Sequence, residues 1–301
     1  MLSNSHHHCV VGLGEILWDM LPEGKQLGGA PANFAYHAQS LGAKSFVISS
    51  VGDDEPGREI FSELDLVSLN TEYIQINKEH PTGTVDVVLD ETGKPDYIIH
   101  ENVAWDSISF TENLQKLASL TNAVCYGTLA QRAQKSRETI LNFINATQPG
   151  CWRVFDLNLR QSYFDPEIIK ESLSLSNCLK LNDDELPEIA KACAVSGTEN
   201  DILMALLNKF KLKIIALTKG EKGSLLYSGE KVLFLETPHL DVKDTVGAGD
   251  AFTAALVAGL LTNSPLEIIH RNANRLAAYV CTQRGATPRI TPELKHKLMA
   301  V

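Results

Sequence analysis

Apolar residues along this chain come in short unbroken runs separated by longer amphipathic stretches. The runs at 9–13, 45–51, 123–127, 153–156, 178–181 and 213–218 are too short for helices and too apolar for loops, so each reads as a buried strand. Between them, 31–41, 137–146, 202–210 and 265–281 carry helical spacing. Strand and helix alternate strictly, which predicts an α/β fold: a mainly parallel sheet covered by helices on both faces. One segment breaks the rhythm. Thr84-Val85-Asp86-Val87-Val88-Leu89, then Glu91-Thr92-Gly93, then Tyr97-Ile98-Ile99-His100 alternates polar and apolar around a turn, the pattern of an antiparallel hairpin. A half-polar hairpin inside a βα chain predicts a small appended sheet that covers something. No repeat, long linker or low-complexity tract interrupts the chain, so 1–301 reads as one domain.

Ligands of such sheets sit beyond the carboxyl ends of the strands, which makes the polar residues just after each strand the site candidates. Three clusters qualify: Asp156-Leu157-Asn158-Leu159-Arg160, Lys180-Leu181-Asn182-Asp183-Asp184-Glu185, and Leu217-Thr218-Lys219-Gly220-Glu221-Lys222-Gly223. Asn182 with Glu185 three residues on is equally the pattern of a helix cap, and 217–223 is equally an ordinary turn. Nearer the N-terminus, Leu27-Gly28-Gly29-Ala30-Pro31-Ala32-Asn33 places a glycine pair ahead of a helix-starting proline. The helix ends near Leu41-Gly42, and only Asn33, polar among small residues, lacks a structural reason. Gly12-x-Gly14 after a strand resembles a dinucleotide fingerprint, but Leu17 stands where the third glycine belongs, so that reading fails.

The most specific stretch runs from Asp244 to Leu261. From Ala251 it is small or apolar, with alanine at 251, 254, 255 and 258, and too short to span a bilayer, so it reads as a buried helix. Ahead of it Gly247-Ala248-Gly249 forms a turn, and Asp250 falls in the first helical turn. Unpaired N–H groups at a helix N-terminus attract anions, and glycines let an anion reach the backbone. The arrangement describes a phosphate cradle with a carboxylate beside it. The plainer alternative is that Asp250 only complements the helix dipole while Asp244 or Thr245 caps the turn.

Composition narrows the choices. Hydrophobic residues at 44% and charged residues at 21% are ordinary for a globular protein. A net charge of −10 argues against a nucleic-acid surface. Cysteines at 9, 125, 151, 178, 193 and 281 show no Cys-x-x-Cys pair, which favours reduced thiols in the cytoplasm over disulfides or zinc. Residues 1–5 lack the regions of a signal peptide, and His6-His7-His8 reads as a polar lead-in to the first strand. Neither a P-loop nor a protein-kinase signature is present, and no membrane partner is expected.

From Asp244 into the helix, the sequence resembles the C-terminal motif of the ribokinase-like (PfkB) family of sugar kinases, and the likeness covers nearly the whole chain. It implies a three-layer α/β/α fold with a small β-sheet lid drawn from about 17–29 and 72–106, and ATP and Mg²⁺ as partners. The backbone of Gly247, Ala248 and Gly249 would hold the transferring phosphoryl group, and Asp250 would take the proton from the sugar hydroxyl. Gly28, Gly29 and Asn33 resemble the family's N-terminal motif, so these with Asp19 would bind the sugar. Residues 100–106 and Asp156-x-Asn158-x-Arg160 are similar to the fructokinase branch, which points to fructose and places Asn158 and Arg160 at the cleft; Trp105 is expected to pack the hinge. Asn182, Thr218, Gly220, Gly223 and Asn274 fall where relatives hold the nucleotide, and Glu185 where they hold Mg²⁺ through water. Asp244 and Val246, with 284–286, match a loop that holds K⁺ in many relatives. A homodimer through the lid is a further expectation. The alternatives are a kinase for 2-keto-3-deoxygluconate, ribose or a nucleoside, or a sugar-binding regulatory protein that has lost catalysis.

Overall fold

The structure, a computed structural model, describes residues 8–22, 24–89, 95–229 and 231–299. Residues 1–7 and the turn expected at 91–93 lie outside the described residues. β1 (Cys9–Leu13) is followed by the hairpin β2 (Leu17–Leu21) and β3 (Gly24–Gly28), then α1 (Ala30–Ser40), β4 (Lys44–Gly52), α2 (Glu55–Leu66) and β5 (Ile74–Asn77). A second hairpin, β6 (Gly83–Leu89) and β7 (Pro95–Ile99), comes next. The chain continues as α3 (Glu112–Leu120), β8 (Ala123–Tyr126), α4 (Gln134–Ala146), β9 (Trp152–Asp156), α5 (Pro166–Leu175) and β10 (Cys178–Asn182). Then follow α6 (Leu186–Ala192), α7 (Glu199–Phe210), β11 (Ile214–Thr218), β12 (Ser224–Ser228) and β13 (Val232–Leu235). Three helices close the chain: α8 (Ala248–Leu261), α9 (Leu266–Cys281) and α10 (Pro292–Met299).

The large sheet has the order β13-β12-β11-β10-β9-β8-β1-β4-β5, parallel from β11 to β5, with β12 and β13 antiparallel at one edge. Alternation along each strand divides the core into two layers. Val11, Leu13, Val124, Tyr126, Phe155, Leu179 and Leu217 face α3 to α7. Val10, Ala123, Cys125, Val154, Cys178 and Ala216 face α1, α8 and α9. Both faces are covered, so the strands read as unbroken apolar runs.

The small sheet has the order β3-β2-β6-β7. Its two hairpins are antiparallel, and β2 pairs with β6 in parallel. The lid expected from 17–29 and 72–106 therefore needs a narrower second boundary: Ile74–Asn77 pairs with β4 and extends the large sheet. At the far end, Arg132 ties lid to body. It pairs with Asp106 at 2.8 Å, donates to His100 O at 2.6 Å and stacks on the rings of Trp105 and Tyr163. Trp105 is fully buried there.

Candidate active site

The first turn of α8 sits at the carboxyl edge of the large sheet. Its N-cap, Gly247, has φ 76°, and a Cβ there would lie 2.6 Å from the carbonyl oxygen of Ala286. Only glycine fits such a left-handed, crowded position without strain. Asp250 follows in the first turn, and Asn33 Nδ2 donates to its Oδ2 at 2.9 Å. Asn33 is delivered by α1, which starts at Gly29 with φ 115°, close against the backbone of Glu15 and Ile16. The polar residue that had no structural reason in α1 thus meets the acid of α8 across the whole chain. Burial raises the Asp250 pKa to about 6, and the Asp156 carboxylate adds to the rise against the pull of Asn33, Lys180 and Arg160. A carboxylate poised just below neutrality is a competent general base.

Beneath α8, Asp156 accepts from Lys180 Nζ at 3.0 Å and from Thr253 Oγ1 at 2.9 Å. The same Thr253 hydroxyl lies 3.0 Å from Gly249 O, so its one shared proton ties Asp156 to the first turn of α8. Burial works against the Lys180 charge, yet Asp156, Glu185 and Asp250 outweigh it and raise its pKa. Lys180 is therefore a fixed cation under the first turn of α8, and a Cβ on Gly249 would stand 2.9 Å from its Nζ. Sequence reasoning quoted Lys180 but gave it no role; the signal was a lysine inside an apolar strand run.

Glu15 was also missed. It is 4% exposed, and burial raises its pKa to about 7, with the nearby Arg160 charge opposing the rise and Asp250 adding to it. Asp19 on β2 is raised to about 6 by burial, again against Arg160. Asp19 backs onto Gly28 of the neighbouring strand, where a Cβ would come within 3.1 Å of its Cγ. Arg160 lies beyond the end of β9, exposed, with Asn158 before it at φ 47°. Its charge acts on Asp19, Glu15 and Asp250, so these three carboxyl groups lie within its electrostatic reach. Gly12-x-Gly14 has another use: a Cβ on Gly12 would collide with the backbone of Pro31, so the glycine seats α1 on β1.

At the end of β10, Asn182 Oδ1 accepts from Glu185 N at 2.9 Å and Glu185 Oε2 accepts from Asn182 N at 2.8 Å. The pair closes the 182–185 turn and does not cap α6, whose N-cap is Glu185 without a side-chain cap. Glu185 does more, since its Oε1 accepts from Leu159 N at 2.9 Å, linking the ends of β9 and β10. Each oxygen keeps one lone pair, which suits contact with a hydrated divalent ion rather than a stripped one. No group of three or more His, Cys, Asp or Glu side chains among the described residues makes a direct metal cage. Asp244 accepts from Val246 N and Gly285 N, both at 3.0 Å, and so folds the 284–286 loop onto the start of α8. Val246 itself is exposed.

Thr218, at the end of β11, donates to Leu181 O, while Gly220 at φ 55° and Gly223 at φ 113° shape the turn beyond it. Asn274, on α9, meets the residue just after that turn, Ser224, and lines a cavity of about 490 Å³ with Leu235, Pro238, Leu240 and Tyr279. All these groups lie on the carboxyl-end side expected of ligand sites in open α/β sheets.

A sequence profile described as the pfkB family carbohydrate kinase matches residues 23–293. An uncharacterized sugar kinase of Pyrococcus horikoshii is 30% identical over 310 residues, covering 96% of this chain and 95% of that protein. A fructokinase of Salmonella typhimurium is 28% identical over 295 residues, covering 91% and 93%. The crystal structure of the Pyrococcus horikoshii protein in complex with ATP superposes with a TM-score of 0.78 at 29% identity, covering 93% of each chain. The profile spans most of the chain and the fold agrees throughout; the chain belongs to the pfkB family of carbohydrate kinases, phosphotransferases that act on an alcohol group.

Proposed function

We propose that the chain is an ATP-dependent fructokinase that phosphorylates a primary hydroxyl of the sugar. The observation that carries the reading is Asp250, held by Asn33 at the open N-terminus of α8 with its pKa raised into the range of a working base. The sugar lies between Asp19, Gly28, Gly29 and Asn33 on one side and Asn158 and Arg160 on the other. Asp250 takes the proton from the attacking hydroxyl. The backbone N–H groups of 247–249, with Lys180 beneath them, stabilise the charge that grows on the transferring phosphoryl group. Transfer is in line and direct, so positioning supplies much of the rate. Thr218, Gly220, Gly223, Asn182 and Asn274 hold ATP. Glu185 would hold Mg²⁺ through water, and the ion would supply neutralisation of phosphate charge. The Asp244 loop would be the place for K⁺.

Fructose is favoured by the joint presence of the 100–106 segment and Asp156-x-Asn158-x-Arg160, and by relatives named fructokinase. A second reading has its own support. Arg160 is an exposed guanidinium whose charge reaches Asp19 and Glu15, suited to a carboxylate, which favours a sugar acid such as 2-keto-3-deoxygluconate. A coupled ADP-release screen over fructose, tagatose, ribose, 2-keto-3-deoxygluconate and several nucleosides separates them. We expect the highest kcat/KM with fructose; a higher value with the sugar acid transfers the assignment, and no ADP release with any of them removes the catalytic reading. On the lid, Met20 and Ile98 expose apolar side chains on either side of Asp86 in one cross-strand row, which supports a homodimer through this face. Cysteines that are free in the described residues support a cytoplasmic setting.

A further inference from the structure

Ser224, the first residue of β12, is buried, and its Oγ lies 3.0 Å from Asn274 Oδ1 and 2.8 Å from His270 Nε2. Asn274 Nδ2 lies 3.3 Å from the carbonyl oxygen of His270, one helical turn back along α9. A carbonyl only accepts, so the Asn274 amino group faces it and Oδ1 faces Ser224. Ser224 has one proton to give. Donated to Asn274, it leaves Oγ an acceptor, and His270 must donate from Nε2. The 3.3 Å contact to the backbone carbonyl and the Ser224 proton together set the direction of every bond in the chain. His270 is then the neutral Nε2–H tautomer, and its Nδ1, buried without a partner, carries no proton that would go unsatisfied. Burial fits this, holding the His270 pKa down at about 4, so the arrangement persists through neutral pH.

We propose that Ser224 and His270 are positioning residues for the nucleotide base: they lock Asn274 in one of its two amide orientations, so that its remaining Nδ2 hydrogen is offered to a ring-nitrogen acceptor of a purine in the cavity it lines. The proposal rests on reading that cavity as the nucleotide site. The two ends of an asparagine amide are nearly the same size, so without the Ser224 proton the group can turn over. The flipped form sets Oδ1 against the His270 carbonyl and offers the base an acceptor in place of a donor. Any population of the flipped form lowers apparent affinity by the fraction of protein that remains competent.

The test is ADP binding followed by titration calorimetry, which does not depend on turnover. Ser224→Ala is expected to weaken ADP by about 3–10-fold, the scale of one hydrogen bond, with sugar affinity unchanged. Asn274→Asp, a change at a half-buried position, keeps the Ser224 bond but has no N–H to offer, and is expected to weaken ADP at least as much. Because Ser224 acts through Asn274, Ser224→Ala combined with Asn274→Ala should bind ADP no more weakly than Asn274→Ala alone. Unchanged ADP affinity in Ser224→Ala overturns the proposal, as do losses that multiply in the double variant, or a wild-type protein that does not bind ADP. A wild-type protein that binds ADP but transfers phosphate to no sugar strikes only the kinase reading, and the Ser224→Ala titration still decides the relay.

Discussion

Asp250 shows how one side chain acquires a role from its surroundings. An exposed aspartate titrates near 4; here burial first, and the Asp156 charge second, bring it to about 6. In the role proposed for it the ionised form is the base, so activity should fall as pH drops through that value. We expect the acid limb of kcat/KM near pH 6, falling about tenfold per pH unit below it, and steeper if Asp19, also raised to about 6, must be ionised to hold the sugar. A limb near pH 4 would contradict the assigned environment. Stability has the opposite sign. A carboxyl whose folded pKa lies above its unfolded value favours the folded state while protonated, and that contribution is lost as pH rises through the folded pKa. Glu15, Asp19 and Asp250 should each make the free protein less stable between about pH 4 and 7, the cost of holding desolvated carboxylates ready.

At the scale of elements, the lid is two hairpins joined by the parallel pairing of β2 with β6, and its core contacts come through Leu17, Trp18, Val85 and Ile99. The Arg132 cluster fixes the far end of β7, and Trp18, Leu27 and the Lys25–Glu59 pair hold the β2–β3 hairpin against α1 and α2, which leaves the outer part of β6–β7 to move. Closure on the sugar would exclude water from the transfer. Hydrogen exchange of the amides of β6 and β7 should slow at saturating sugar, and unchanged exchange would count against a mobile lid. The hairpin was legible because a half-buried sheet leaves a period of two in the sequence, and the large sheet because two covered faces leave unbroken runs. Ile74–Asn77 was not: a short edge strand with Ile76 exposed carries too little pattern to show which sheet it joins. Motif residues such as Asn33 and Asp250 stood out as polar among small neighbours. Lys180 and Glu15 did not acquire roles, because their partners Asp156 and Arg160 are distant in sequence and only the fold brings them near.

Over the whole molecule, the site is assembled from both ends of the chain. Asn33 arrives on α1 and Asp250 on α8, with the sheet between them supplying Asp156, Lys180 and Glu185. No helix of the described residues is long and apolar enough to cross a membrane, and packing of α8 against α1 and α9 is what its small residues serve. The central claim is that this junction performs general-base phosphoryl transfer. Asp250→Asn tests it most directly, since the amide keeps size and position but cannot take a proton. With sugar and ATP saturating, kcat should fall by about 10²–10⁴-fold, while sugar affinity changes little and the melting temperature holds or rises with the buried charge gone. A variant that keeps near-normal turnover and loses only about 0.3–1 kcal/mol of stability, as a helix-dipole partner would, contradicts the account.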